Sequence, residues 1–152
     1  MNKISYRKLS DGDLPEFIEM RINQLQEEGA KPLFDLKPAL TEYYQNHLAS
    51  GTFVSFLAID GDKIVATSGM SFVEKPPYYS NPSGKIGLLS SMYTLKQYRR
   101  LGIAKILLDK VVQEAKSYGC GSIQITASNM GVLLYTDYGF EKNDNFMQLK
   151  ID

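Results

Sequence analysis

Tyr98-Arg99-Arg100-Leu101-Gly102-Ile103-Ala104-Lys105 places three cations and two small residues where a helix begins. A helix N-terminus presents backbone N–H groups without intrahelical partners, together with a partial positive charge. Phosphate oxygens bind there. Gly102 keeps a Cβ out of the approach to the backbone, and Ala104 is nearly as small. Arg99, Arg100 and Lys105 add positive charge beside the turn. This arrangement suits the holding of a pyrophosphate. It is distinct from other phosphate cradles, because the chain contains neither G-x-x-x-x-G-K-[ST] nor G-x-G-x-x-G. An ordinary glycine-containing turn with solvated basic residues has the same composition, so the flanking elements carry the distinction.

Other reactive side chains are few. Cys120 is the one cysteine, which excludes an intramolecular disulfide and fits a reducing compartment. At a helix-to-strand turn it reads as a small packing residue rather than a nucleophile. His47 falls on the apolar side of a helical pattern, where a satisfied, buried imidazole is the usual outcome and a substrate-pocket role the alternative. One histidine and one cysteine make a poor ligand set, so no metal is expected. Tyr135, on a short helical pattern, reads by itself as a core aromatic.

The elements that position these residues follow from periodicity. Ile4 and Tyr6 predict a short strand. Ser10 or Asp11 caps a first helix, with Pro15 in its first turn and Leu14, Phe17, Ile18, Ile22 and Leu25 on one face. A second helix is predicted over Lys37 to Ser50. Phe53 to Ile59 and Ile64 to Val73 flank the Asp60-Gly61 turn as a hairpin. Pro76, Pro77, Pro82 and Gly84 force a loop. A strand from Ile86 to Leu95 leads into the basic turn. Ala104, Leu107, Leu108, Val111, Val112 and Ala115 then give the most regular amphipathic helix in the chain. Ile123 to Ala127 is a further strand, Met130 to Tyr135 a short helix, and Phe146 to Ile151 a final strand. This order predicts an α/β fold, a mixed sheet with helices packed on it, in one domain over residues 1–152.

Composition narrows the function. Of 152 residues, 17 are Lys or Arg and 17 Asp or Glu, so the formal net charge is zero and the basic excess of a nucleic-acid binder is absent. The opening Met-Asn-Lys-Ile-Ser-Tyr-Arg-Lys lacks the apolar run of a signal peptide. No stretch approaches the ~20 apolar residues of a membrane span. The expectation is a soluble cytoplasmic protein without nucleic-acid or membrane partners.

The basic turn resembles the acetyl-CoA motif of the GNAT superfamily of N-acetyltransferases, [QR]-x-x-G-x-[GA], with Arg99, Gly102 and Ala104 at its defined positions. About thirty residues on, Leu134-Tyr135 followed by Gly139-Phe140 resembles the family's second signature. Two motifs in the family's order, spacing and flanking elements make the resemblance specific from about Phe53 onward. Before that point it rests on element order alone. Many members carry asparagine seven residues before the tyrosine, whereas this chain has Ser128, followed by Asn129.

The resemblance implies a GNAT-type acyl-CoA N-acyltransferase fold, with a mostly antiparallel sheet splayed between its fourth and fifth strands, the one ending near Leu95 and the one ending near Ala127. It implies acetyl-CoA as co-substrate, pantetheine against the backbone of Met92, Tyr93 and Thr94, and pyrophosphate on the N–H groups of Arg100, Leu101, Gly102, Ile103, Ala104 and Lys105. Ser128 or Asn129 adds a further contact. Tyr135 occupies the family's general-acid position, protonating the leaving thiolate. The acceptor is a primary amine of a small molecule or peptide, and Glu27, Glu28 and Glu74 are the candidate bases. Tyr43, Tyr44, Tyr78 and Tyr79 line the acceptor side or serve packing or an interface. A homodimer is expected by analogy. A non-catalytic acyl-CoA sensor on the same fold, or an unrelated nucleotide-binding module, are the competing readings.

Overall fold

A computed structural model of the chain describes residues 3–126, 131–143 and 146–151. Strand β1 (Ser5–Lys8) opens it and a 3-10 turn, Asp11–Asp13, follows. Asp13 Oδ2 accepts the Ser10 N–H at 2.9 Å, fixing the entry to helix α1 (Leu14–Glu27). Leu14, Phe17, Ile18 and Met20 are buried, and so is one polar residue, Gln24. Helix α2 spans Lys37–Ser50, the predicted range, and buries Tyr44 edge-on against Phe17 and beside Phe53.

The predicted strand Phe53–Ile59 is two strands, β2 (Phe53–Val54) and β3 (Phe56–Asp60). The break has a polar cause. Ser68 Oγ accepts the Phe56 N–H at 2.9 Å and donates to the Phe56 carbonyl at 2.8 Å, substituting a side chain for the ladder. Strand β4 (Lys63–Glu74) returns after the Asp60–Gly61 turn, and β5 (Lys85–Thr94) runs antiparallel to it. Helix α3 (Ile103–Tyr118), β6 (Ser122–Gln124) and α4 (Val132–Tyr138) follow.

The sheet order is β1-β3-β4-β5-β6, with β2 also on β4; among the described residues only β5 and β6 are parallel. Alternation along β3 splits the core. Leu57 and Ile59 face α1 and α2, while Ala58 faces α3 with Val65, Ile103 and Leu107. A second cluster beneath α3 joins Met70, Phe72, Leu89, Leu108, Val111 and Tyr135. No helix among the described residues is long and apolar enough to cross a membrane.

Two features of β5 shape the site. Among the described residues it pairs with β6 only from Ile86 to Leu88, while the strand itself runs on to Thr94. The β4–β5 register also slips: Thr67 faces Tyr93 but Gly69 faces Ser90, which puts the extra residue on β5. Ser91 takes φ 57°, left-handed for a non-glycine residue.

One expected strand does not form. Residues 146–151 join no ladder, and Phe146, Met147, Leu149 and Ile151 are exposed. Their alternation is that of a strand, but among the described residues they pair with none.

Candidate active site

The basic turn caps α3 as its composition predicts. Gly102 is the N-cap at φ 82°, a conformation that favours glycine, and no side chain caps the helix. The first helical hydrogen bond runs from the Ile106 N–H to the Gly102 carbonyl at 3.3 Å. The N–H groups of Ile103, Ala104 and Lys105 come before it. A Cβ built on Gly102 meets nothing within 4 Å, so that side of the turn is open. Arg100 is left-handed too, at φ 65°, and both it and Lys105 are exposed. Leu101 is half exposed, Ala104 partly covered, and Ile103 anchors the turn in the core.

Arg99 does different work from its neighbours. Its Nε donates to the Thr94 carbonyl at 2.7 Å, and Nη2 reaches Glu27 Oε2 at 3.2 Å. Its guanidinium sits 5.8 Å from the centroid of the Tyr93 ring. The charge is directed back toward β5 and α1, so Arg99 braces the cradle. Tyr98 adds a second brace through its hydroxyl to Asp60.

The bulged end of β5 is held from α1. Gln24 Nε2 donates to the Met92 carbonyl at 3.3 Å and lies 3.5 Å from Glu28 Oε2, while Arg21 donates to Gln24 Oε1 at 3.1 Å. Tyr93 donates its hydroxyl to Glu27 Oε1 at 3.0 Å. Burial first, and then Glu27, raise the Tyr93 phenol above its ordinary pKa. Of the three residues expected beside pantetheine, Met92 and Thr94 thus have carbonyls already engaged by protein donors. Sequence reasoning missed Gln24. Its signal was position: it stands seven residues after Phe17, on the buried stripe of α1, where an amide needs partners.

Tyr135 is buried in the cluster beneath α3, its ring edge-on to Phe140 at 5.6 Å between centroids. Gly131 makes room for it, since a Cβ there would lie 2.6 Å from the ring. Burial, and then the Glu28 carboxylate, push the phenol up to about 12. It is therefore a neutral hydroxyl across the physiological range, able to donate. Ser128 and Asn129 lie outside the described residues.

The three candidate carboxylates part company. Glu27 is committed to Tyr93 and Arg99. Glu74 pairs with Lys85 at the far end of the β4–β5 ladder from Ala66 and Thr94, roughly 25 Å away at ~3.3 Å per residue. Glu28 remains, tied to Gln24 and electrostatically coupled to Tyr135. Loop residues Ala30, Pro32, Leu33 and Phe34 line a cavity of about 250 Å³ together with Ile22 and Leu25.

The tyrosines expected on the acceptor side are dispersed. Tyr44 is core, and Tyr43 shares a hydrogen bond with Ser71 Oγ at 2.8 Å. Tyr78 and Tyr79 sit on the loop closed by the Lys75 N–H to the Gly84 carbonyl, at the same distant end as Glu74. His47 is part-buried and satisfied, with Nδ1 2.6 Å from Thr52 Oγ1. Cys120 is a packing residue whose thiol burial pushes up.

Comparison with known proteins places this geometry. A predicted acetyltransferase of Clostridium acetobutylicum, crystallised with acetyl-CoA, superposes with a TM-score of 0.94 at 35% identity, over 97% of this chain and 96% of that one. A GCN5-related N-acetyltransferase from Ralstonia eutropha shares the fold, with a TM-score of 0.89 at 22% identity over 97% and 99%. N-acetyltransferase 8B of Rattus norvegicus is 32% identical over 111 residues, 70% of this chain; the match spans 46% of the rat protein's length. The sequence model of the Acetyltransferase (GNAT) family matches residues 16–140. That span takes in the uncapped helix, the bulged strand and the buried phenol alike, and the chain belongs to the Acetyltransferase (GNAT) family.

Proposed function

We propose that residues 1–152 act as one domain that transfers the acetyl group of acetyl-CoA to a primary amine of a small molecule or peptide, by direct attack of the amine on the thioester. The observation that carries this reading is the juxtaposition of the open, uncapped N-terminus of α3 with the stretch of β5 that runs on past its pairing with β6. The first suits a diphosphate and the second an extended thioester arm. The amides of Gly102 to Lys105 hold the diphosphate, and Arg100 and Lys105 neutralise it. The β5 bulge re-aims backbone at the thioester, where N–H groups stabilise negative charge developing on the carbonyl oxygen.

An alkylamine has a pKa near ~10.4, so at neutral pH it must shed a proton before attack. We assign that acceptor role to Glu28, directly or through water. As the carbon–sulfur bond breaks, the thiolate takes a proton from Tyr135, whose burial keeps it protonated. The single cysteine fits operation in a reducing cytoplasm.

Replacing Tyr135 by Phe tests the assignment. The expected result is a ~100-fold fall in kcat, with the Kd for acetyl-CoA kept within about twofold. Unchanged turnover removes Tyr135 from the chemistry. Tight acetyl-CoA binding by the wild type, without turnover across a broad amine panel, leaves a sensor in place of an enzyme.

A further inference from the structure

Gln24 is an amide where the stripe of α1 asks for an apolar side chain. It is 7% exposed, among Phe17, Ile18 and Met20. A leucine there would need no partners, so the desolvation of the amide is offset only by what it holds together. It holds three groups. Arg21 donates to Oε1 at 3.1 Å, while Nε2 faces the Met92 carbonyl at 3.3 Å and Glu28 Oε2 at 3.5 Å. Donor chemistry fixes this orientation. A guanidinium only donates, whereas a carbonyl and a carboxylate accept, so Oε1 faces Arg21 and the two N–H bonds face Met92 and Glu28.

Glu28 stands where a tether matters. It is exposed and forms the C-cap of α1. An acid is electrostatically disfavoured at that end of a helix, so helix stability does not account for it. Its backbone N–H bonds the Gln24 carbonyl at 3.0 Å, and its carboxylate meets the Gln24 amide, so one residue fixes both its main chain and its side chain.

We infer that Gln24 is a positioning residue that sets the Glu28 carboxylate at a fixed reach from the bulged end of β5, with Arg21 locking the amide the right way round. Glu28 acts here as the proton acceptor of the proposed transfer, on which this role depends. A freely turning glutamate is aimed at the amine only part of the time. The shared bond to Met92 joins the base to the strand proposed to carry the thioester, so both keep one geometry. Gln24 makes and breaks no bond of the reaction and acts through Glu28.

Kinetics on the full chain, with acetyl-CoA and the fastest member of a panel of alkylamines, amino acids and polyamines, test this role. Gln24→Met keeps the length and removes the amide. It is expected to lower kcat about tenfold, with the KM for acetyl-CoA kept within about twofold. In a Glu28→Gln background the same change is expected to cost less than about twofold, because its target is already gone. Arg21→Met is expected to cost about threefold, again only when Glu28 is present, and Arg21→Lys, which still offers Oε1 a donor, to recover most of that loss. Arg21 is only partly buried, so this pair decides even if Gln24→Met fails to fold. Losses that multiply in the double variants, a raised KM for acetyl-CoA with kcat kept, or Arg21→Met at the wild-type rate would each overturn the role of Gln24 alone. Glu28→Gln at the wild-type rate instead removes the base, and a panel without turnover removes the transfer. Either result takes the role of Gln24 with it, and each is read before Gln24 is touched.

Discussion

Glu27 and Glu28 are adjacent in sequence and chemically unlike because α1 turns about 100° between them. Glu27 lands over Tyr93 and Arg99, where both its oxygens accept strong donors. Glu28 lands beside Gln24, on the side that Tyr135 senses. Glu27 is held by a phenol and a guanidinium on its two oxygens, whereas Glu28 touches one amide and is otherwise exposed. A base at Glu28 has an expected pH signature. Glu28→Gln is expected to lower kcat/KM by ~10–100-fold at pH 7. The gap should narrow as pH rises toward ~10, because a growing share of the amine then arrives already neutral. A deficit that stays constant from pH 7 to 10 would assign Glu28 a positioning role. Of these residues, Tyr135 was legible through its motif. Gln24 was visible only as a polar residue on an apolar stripe, and the choice among carboxylates needed the helix phase and the strand register together.

At the scale of elements, local signals carried most of the fold. The span of α2 was read from its apolar face and the Gly51 stop, and Pro38 in its first turn is consistent with its start. Non-local events were not readable. The β5 bulge arises from a register slip against β4, and neither strand's alternation announces it. Ser68, twelve residues away, divides Phe53–Asp60 into two strands. The cradle at α3 is the opposite case, because a left-handed N-cap demands glycine where the motif has one. Gly102→Ala forces an L side chain to φ 82°, at ~1–2 kcal/mol. It also sets a methyl group on the side proposed for the diphosphate. The KM for acetyl-CoA is expected to rise at least tenfold, while acetyl-pantetheine, which lacks a diphosphate, is used about as well as by the wild type. Equal losses with both donors would place the diphosphate elsewhere.

For the whole molecule, two perturbed groups bound the pH range of stability. Tyr135 ionises near 12 in the fold and near 10 when unfolded, so its contribution is complete below pH 10 and is lost as pH climbs toward 12. Asp13 governs the acid side. Both its oxygens accept Arg7, at 2.7 and 2.8 Å, and the Ser10 N–H adds a third bond. Led by the Arg7 bond, these hold its pKa at about 2 against an ordinary 3.8. A depressed carboxylate stabilises the fold above its unfolded value and loses that effect as pH falls from 3.8 through 2. The pair ties β1 to the start of α1, joining the edge of the sheet to the helix that carries Gln24 and both carboxylates. Arg7 is half exposed, so screening leaves about 1 kcal/mol, or ~2–4 °C in Tm for a chain of this size. Asp13→Asn keeps an acceptor for Ser10 but removes the charge. Melts at pH 7 should show the variant lower by that amount, and melts at pH 2 should show the two proteins converging. An equal gap at both pH values would mean that packing around Asp13, not its ionisation, joins the sheet edge to α1.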